Sequence, residues 1–477
     1  MEIPGVCLLI LSLSILFNLS FFALASFSPI DNHLIDCGST VDSIVDTRRF
    51  TADASNSAFL SHTRSIPLTV QNPSPDSPNI YRTARVFTRP AKYLFSIRDR
   101  GTHMVRLHFH GFSSPDFVPS DAQFHVVVNE YVVLSNFSNR NDMNPRIVQY
   151  LIWVDSDKLV ISFIPTMKSK YAYVNAIEVI SAPKDLVADT AQVVKTSQAV
   201  DGYRVEMIDG LTKLALETVY RINVGGPKLT PFNDTLWRTW VPDDEFFRSN
   251  ELSKLVYFSS PIRYQIGGAS REVGPDFVYK TARVIRSTNA SIWNKNMTWE
   301  FPVVQGYKYL LRLHFCDIAS ISLGLIYFNV YVNEYLAYYN LDLSYVTNGM
   351  LASPFYVDFV VDGDKSGILT LSVGPSNKSM SYAVDGILNG VELMKMNNSV
   401  GSLDGDLCAK SVLKSWSRGN IGLLVPLVAV LCLLLSISLL MQRRTVSLRD
   451  SVAWSKLPLD VPEVNSKHDS LQLSAKV

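Results

Sequence analysis

Two short stretches of this sequence place ionisable side chains at strand spacing. In RLHFH (106–110) the side chains of Arg106, His108 and His110 fall on one face of a strand, with Leu107 and Phe109 on the other. A His-x-His pair of this kind is a common way to begin a zinc or copper site. RLHFCD (312–317) repeats the pattern as Arg312, His314 and Cys316, followed by Asp317, so the histidine pair itself is not reproduced. The favoured reading is structural: buried histidines, with Arg106 and Arg312 bonded to backbone or carboxylates and no metal. Catalytic signatures are missing as well. The sequence has no GxSxG, HExxH or P-loop and none of the kinase signatures, and Asp243-Asp244-Glu245 reads as a solvated loop rather than an acid and base pair. No catalytic residue and no cofactor is expected.

Other polar residues recur in pairs. Arg85 and Arg283 sit in two TAR motifs, and Phe50-x-x-Asp53 is answered by Trp240-x-x-Asp243, which predicts a buried Arg–Asp pair in each copy. Tyr81, Trp237, Trp240, Trp293 and Tyr338 are the raw material for stacking on a sugar face, although most are expected in the core. Asn136, Asn233, Asn289, Asn296, Asn377 and Asn397 each open an N-x-S/T sequon and are candidate glycan acceptors. Cys37, Cys316 and Cys408 are disulfide candidates, three thiols that allow one bridge and fix no pairing.

These residues belong to a repeated domain. YRTARV (81–86) is matched by YKTARV (279–284), FHVVVNEY (124–131) by FNVYVNEY (328–335), and NAIEV (175–179) by NGVEL (389–393), in the same order. The runs are short, β-branched and aromatic, and Asn129-Glu130 and Asn333-Glu334 read as turns into the next strand. Each copy is therefore expected to be a β-sandwich in an all-β chain. The clearest helical pattern, 211–220, lies between the copies.

At 477 residues, 47% hydrophobic and 18% charged, the chain has enough apolar material for two cores. A net charge of +1 gives no field for nucleic acid, which is excluded as a partner. The apolar run 6–22 followed by Ala23-Leu24-Ala25 reads as a secretory signal. A second run, 421–440, carries no charge and precedes Arg443-Arg444, the pattern of a membrane helix with its following end in the cytoplasm. The expected organisation is signal peptide 1–25, first module 26–185, linker 186–215, second module 216–396, extracellular stalk 397–420, transmembrane helix 421–441 and cytoplasmic tail 442–477.

LIDCGS (34–39), the two TAR motifs, VYRINVGGP (219–227), NDTLWRTWVPD (233–243), LRLHFCDI (311–318) and ILNGVELMKM (387–396) resemble the ectodomain of the plant malectin-like receptor kinases, the FERONIA and THESEUS group. WSKLPL (454–459) is similar to that family's juxtamembrane segment. The resemblance implies two tandem malectin-like β-sandwiches followed by one transmembrane helix. The protein it implies is single-pass, in the plasma membrane, with its ectodomain in the apoplast. It also implies rapid alkalinization factor peptides and LORELEI-like GPI-anchored co-receptors as partners, with pectin as a further ligand. The family's kinase has no counterpart in 442–477, so the expected protein is not an enzyme and would signal through association, for instance with a kinase-bearing paralogue. A wall-carbohydrate tether is the alternative function, and a glycosidase a third.

Overall fold

The computed structural model describes residues 27–450, apart from 55–58, 62–64, 71–74, 76, 112–116, 119–120, 140–143, 167–168, 170, 195–204, 250–252, 286–295, 364 and 380–384; the side chains of 415–425 and 445–450 are likewise outside the description. The expected signal peptide and Cys7, Asn289, Trp293, and the last part of the tail lie outside the described residues. The chain divides into two compact units, 1–414 and 415–477.

The first unit is built almost wholly of strands, as the β-branched and aromatic runs require. Each copy folds its apolar alternation into a separate core. Val105, Leu107, Phe109, Phe124, Tyr150 and Ile177 are among the residues of one, and Leu311, Leu313, Phe315, Phe328, Trp299 and Val391 of the other. The hairpins fall where the Asn-Glu pairs put them. Tyr131 pairs with Val128 and Tyr335 with Val332, and the intervening Asn129 and Asn333 take φ of 50° and 49°, which asparagine tolerates better than most residues.

The two copies share a sheet. Strand Arg146–Val154 of the first pairs antiparallel with Leu216–Asn223 of the second, through Tyr150 with Glu217 and Leu151 with Leu216. The result is one 13-stranded sheet running through both copies. One face covers both cores. The opposite face carries a third apolar cluster, including Met104, Leu151, Leu186, Leu216, Leu236, Leu310 and Met394, to which both copies contribute.

Gly38 and Gly225 occupy matching turns with φ of 84° and 68°. A Cβ would stand 2.2 Å from the Ala84 carbonyl oxygen in one and 2.6 Å from that of Ala282 in the other, so neither turn accepts a side chain.

Two expectations are corrected. The helical pattern at 211–220 yields only a 3₁₀ turn at Leu211–Lys213 before the strand Leu216–Asn223 begins, because pairing with Gly390–Met396 and burial of Leu216 override local periodicity. Nor is the start of the 397–420 segment a free stalk. Asn397 N donates to Ala215 O (3.0 Å), Val132 N to Gly401 O (3.0 Å) and Ser135 N to Asp404 Oδ2 (2.7 Å). Leu403 is fully buried in the first core, and Gly405 N donates to Tyr307 Oη of the second copy. This strap leads into a helix, Ala409–Asp450, whose stretch Pro426–Arg444 is 19 residues long with mean hydropathy 1.9, enough to cross a membrane.

Candidate functional site

The repeated polar residues converge on the face of the shared sheet that points away from the two cores. In the first copy the Tyr81 hydroxyl lies 2.9 Å from His108 Nδ1, and His108 Nε2 lies 2.9 Å from Glu178 Oε1. In the second, the Tyr279 hydroxyl lies 3.0 Å from His314 Nδ1, and His314 Nε2 3.2 Å from Glu392 Oε1. A carboxylate beside Nε2 places the imidazole proton there and leaves Nδ1 to accept from the tyrosine. Each histidine thus has both ring nitrogens engaged within the protein, which is why strand spacing that suggested metal ligands builds a hydrogen-bonded relay instead. His110 packs edge-on against Tyr81, with ring centroids 5.4 Å apart.

Arginines complete the arrangement. Glu178 accepts from Arg48 Nη1 (2.6 Å) and Arg106 Nη1 (2.9 Å), and Glu392 from Arg221 Nε (2.8 Å). Arg312 forks onto Asp358 with two bonds of 2.7 Å. Both expected arginines then reach across the junction in reciprocal fashion. Arg106 Nη2 donates to Leu236 O (2.6 Å), in the second copy, and Arg312 Nη1 to Leu186 O (2.7 Å), in the segment that follows the first.

Burial sets the electrostatics. It raises the cost of ionising Glu178 and Glu392, but Arg106 with His108 and Arg48 in one case, and Arg221 with His314 and Arg238 in the other, overcome it and hold both carboxyls well below their usual range. Burial pulls the Arg106 guanidinium down to about 10 against the pull of Glu178, and lowers His314. The predicted Arg–Asp pairs are present too. Arg85 Nη2 donates to Asp53 (2.5 Å) and Arg283 Nε to Asp243 (2.6 Å), each inside its own copy.

Among the described residues, the aromatic candidates do not form a sugar platform. Tyr81 and Trp240 are buried, Trp237 is half-buried against Arg48 (5.0 Å from guanidinium carbon to ring centre), and Tyr338 packs on the second core. Shared strands and buried charge fill the junction between the modules. An exposed apolar patch lies elsewhere. Ile266, Ile321, Leu323, Tyr345 and Met350 are exposed on three segments tied together by Gln265 Nε2 to Thr347 O (2.6 Å) and Gly324 N to Ser344 Oγ (2.8 Å).

The three disulfide candidates are free thiols. Cys37 and Cys316 are buried among different side chains, in different copies, and burial pushes both thiols up; Cys408, half-buried at the start of the membrane-directed helix, is lowered by the Ser411 amide. Alkylation of the folded ectodomain is expected to modify Cys408 and to spare Cys37 and Cys316 until denaturant is added; equal labelling of all three in the native state, read by mass spectrometry, would refute the arrangement. Of the described sequons, Asn136 and Asn377 are exposed, whereas Asn397 spends its side chain on Ala215 N and Asn398 O.

This architecture is that of a malectin-like ectodomain, and the family model for the Malectin-like domain matches residues 35–396. The chain belongs to the malectin-like receptor kinase family. In Arabidopsis thaliana it is similar to a probable receptor-like protein kinase, 44% identical over 392 residues, covering 81% of this chain and 46% of that protein. It is similar to receptor-like protein kinase THESEUS 1 of the same plant, 39% identical over 399 residues, covering 82% and 45%. The chain thus spans about half the length of these relatives. Among solved structures, the extracellular domain of ANXUR1 from Arabidopsis thaliana superposes with a TM-score of 0.69 at 29% identity, covering 79% of this chain and 99% of that one. The complex of the plant peptide RALF23 with FER and LLG2 gives 0.66 at 30% identity, covering 80% and 99%.

Proposed function

We propose that the protein is a cell-surface receptor component whose paired modules bind a secreted peptide of the rapid alkalinization factor type, together with a LORELEI-like GPI-anchored partner. The observation that carries this reading is the likeness of the whole ectodomain to FER, solved with RALF23 and LLG2. In this reading the protein sits in the plasma membrane with residues 26–420 in the apoplast and the helix after the strap as its anchor. A kinase-bearing relative is a further proposed partner in signalling. The six sequons are proposed glycan acceptors, Asn136 and Asn377 foremost because they are exposed; peptide mapping after enzymatic deglycosylation tests this.

Protein contact is favoured over sugar binding because Tyr81, Trp240 and Tyr338 are occupied in packing, while aliphatic side chains stand exposed around Tyr345. Calorimetric titration of the secreted ectodomain with such peptides, with and without the GPI-anchored partner, and with pectic oligosaccharides, separates the readings. Peptide binding strengthened by the partner is expected, and Ile321→Ser combined with Tyr345→Ala should weaken it about tenfold without moving Tm. Saturable binding to the oligosaccharides alone would replace this function with a wall tether.

A further inference from the structure

Each TAR strand is flanked by a short strand at the edge of a three-stranded sheet, Ser65–Thr69 beside Thr83–Phe87 in the first copy and Ser253–Tyr257 beside Thr281–Ile285 in the second. The registers match, since Pro67 lies opposite Arg85 and Leu255 opposite Arg283. Bonds that continue each ladder fix its phase: Val70 N donates to Arg82 O and Phe258 N to Lys280 O, both at 2.9 Å. Antiparallel pairs alternate between bonded and non-bonded, so Pro67 and Leu255 both turn their backbone away from the TAR strand, toward the open side. There the copies differ. Pro67 withholds an N–H from the first edge, a recognised way of keeping an edge strand from pairing. The second edge has no such guard. Ser253, Leu255 and Tyr257 each present an N–H and a C=O outward, and among the described residues no backbone group pairs with them.

The side chains define what pairs there. Leu255 and Tyr257 share one face of the strand and are 63% and 67% exposed, whereas Val256, on the other face, packs on the second core. Lys254 is exposed and, among the described residues, has no carboxylate beside it. This lysine selects against a second copy of the chain. Two-fold antiparallel pairing centred on Leu255 would set each Lys254 opposite Val256 and diagonal to its own counterpart, a like-charge neighbour. We propose that Ser253–Tyr257 is a docking edge for an extended segment of a partner protein, which adds to the sheet as a fourth strand. The segment carries apolar or aromatic residues beside Leu255 and Tyr257 and a carboxylate opposite Lys254, with main-chain bonds supplying the affinity. Docking here is independent of the patch around Tyr345, which lies on other segments.

The test pans the ectodomain through Lys414, which is one compact unit, against a phage-displayed library of random heptapeptides. Enriched peptides are expected to place apolar residues at alternate positions and to carry Asp or Glu. Leu255→Pro copies the guard that the first copy already tolerates in the same register. It should weaken the synthesised peptide about tenfold, while Leu255→Ala, which keeps the amide, should cost less than about threefold. Lys254→Glu should turn the selection toward Lys- or Arg-bearing peptides, and it decides alone if Leu255→Pro does not fold. Ile321→Ser with Tyr345→Ala should leave this binding unchanged, so failure of the edge and failure of the receptor reading are told apart. No enrichment, or equal losses for Leu255→Pro and Leu255→Ala, overturns the proposal. A concentration-dependent dimer in sedimentation that Leu255→Pro abolishes overturns it in favour of a second copy.

Discussion

Glu178→Ala is expected to destabilise the ectodomain by about 3–5 kcal/mol, the usual cost of leaving buried partners of an ion pair uncompensated. Glu178 is 1% exposed and accepts from Arg48, Arg106 and His108, so its loss strands two guanidinium groups at the junction. Chemical denaturation at pH 7 measures the loss, and a cost below about 1 kcal/mol would show that the carboxylate is not what neutralises the arginines. The same residue fixes a pH dependence. Its folded value lies well below the ordinary one of about 4.3, so its contribution is complete above that value and declines as pH falls toward the folded value. Glu392 behaves alike. The wild type should therefore lose stability below about pH 4.5, more steeply than Glu178→Ala does.

Asp53→Ala and Asp243→Ala are each expected to cost a similar amount, about 3–5 kcal/mol. Asp53 accepts from Gly38 N (2.8 Å), Arg85 and the Tyr93 hydroxyl (2.8 Å). Asp243 accepts from Gly225 N (3.0 Å), Arg283 and Trp299 Nε1 (2.8 Å). Each aspartate ties its glycine turn to the TAR strand, so the change loosens a turn as well as an ion pair. The two lie in different copies without shared partners, and their costs should add. A sum of about 6–10 kcal/mol takes up most of the 5–15 kcal/mol that holds an ordinary folded protein together. The double variant is therefore expected to fail to accumulate as folded protein, and secretion with a native-like Tm would contradict the assignment.

The repeat made much of this legible. Because Arg85 and Asp53 recur as Arg283 and Asp243, their pairing was readable without a structure. The tyrosine–histidine–glutamate relay was within reach on the same logic, since Tyr81, His108 and Glu178 each lie in a repeated motif with Tyr279, His314 and Glu392, but the strand spacing of the histidines fits a metal site equally well. Other features leave no mark on residue type. Arg106 and Arg312 end on the carbonyls of Leu236 and Leu186, and any residue supplies a carbonyl. The shared strand pair at Leu151 and Leu216 looks in sequence like any apolar run, and a helical period at 211–220 gives way to it. The polar strap after Asn397 reads as linker because its contacts are mostly backbone bonds, with Leu403 as its one deeply buried apolar anchor.

The account rests on the two modules being one cooperative body rather than two beads on a string, since a continuous sheet and a shared buried charge network join them. Scanning calorimetry of the secreted ectodomain tests this most directly. A single transition whose calorimetric and van't Hoff enthalpies agree is the predicted result, and two resolved transitions, each surviving alone when the other module is destabilised by Asp53→Ala or Asp243→Ala, would contradict it.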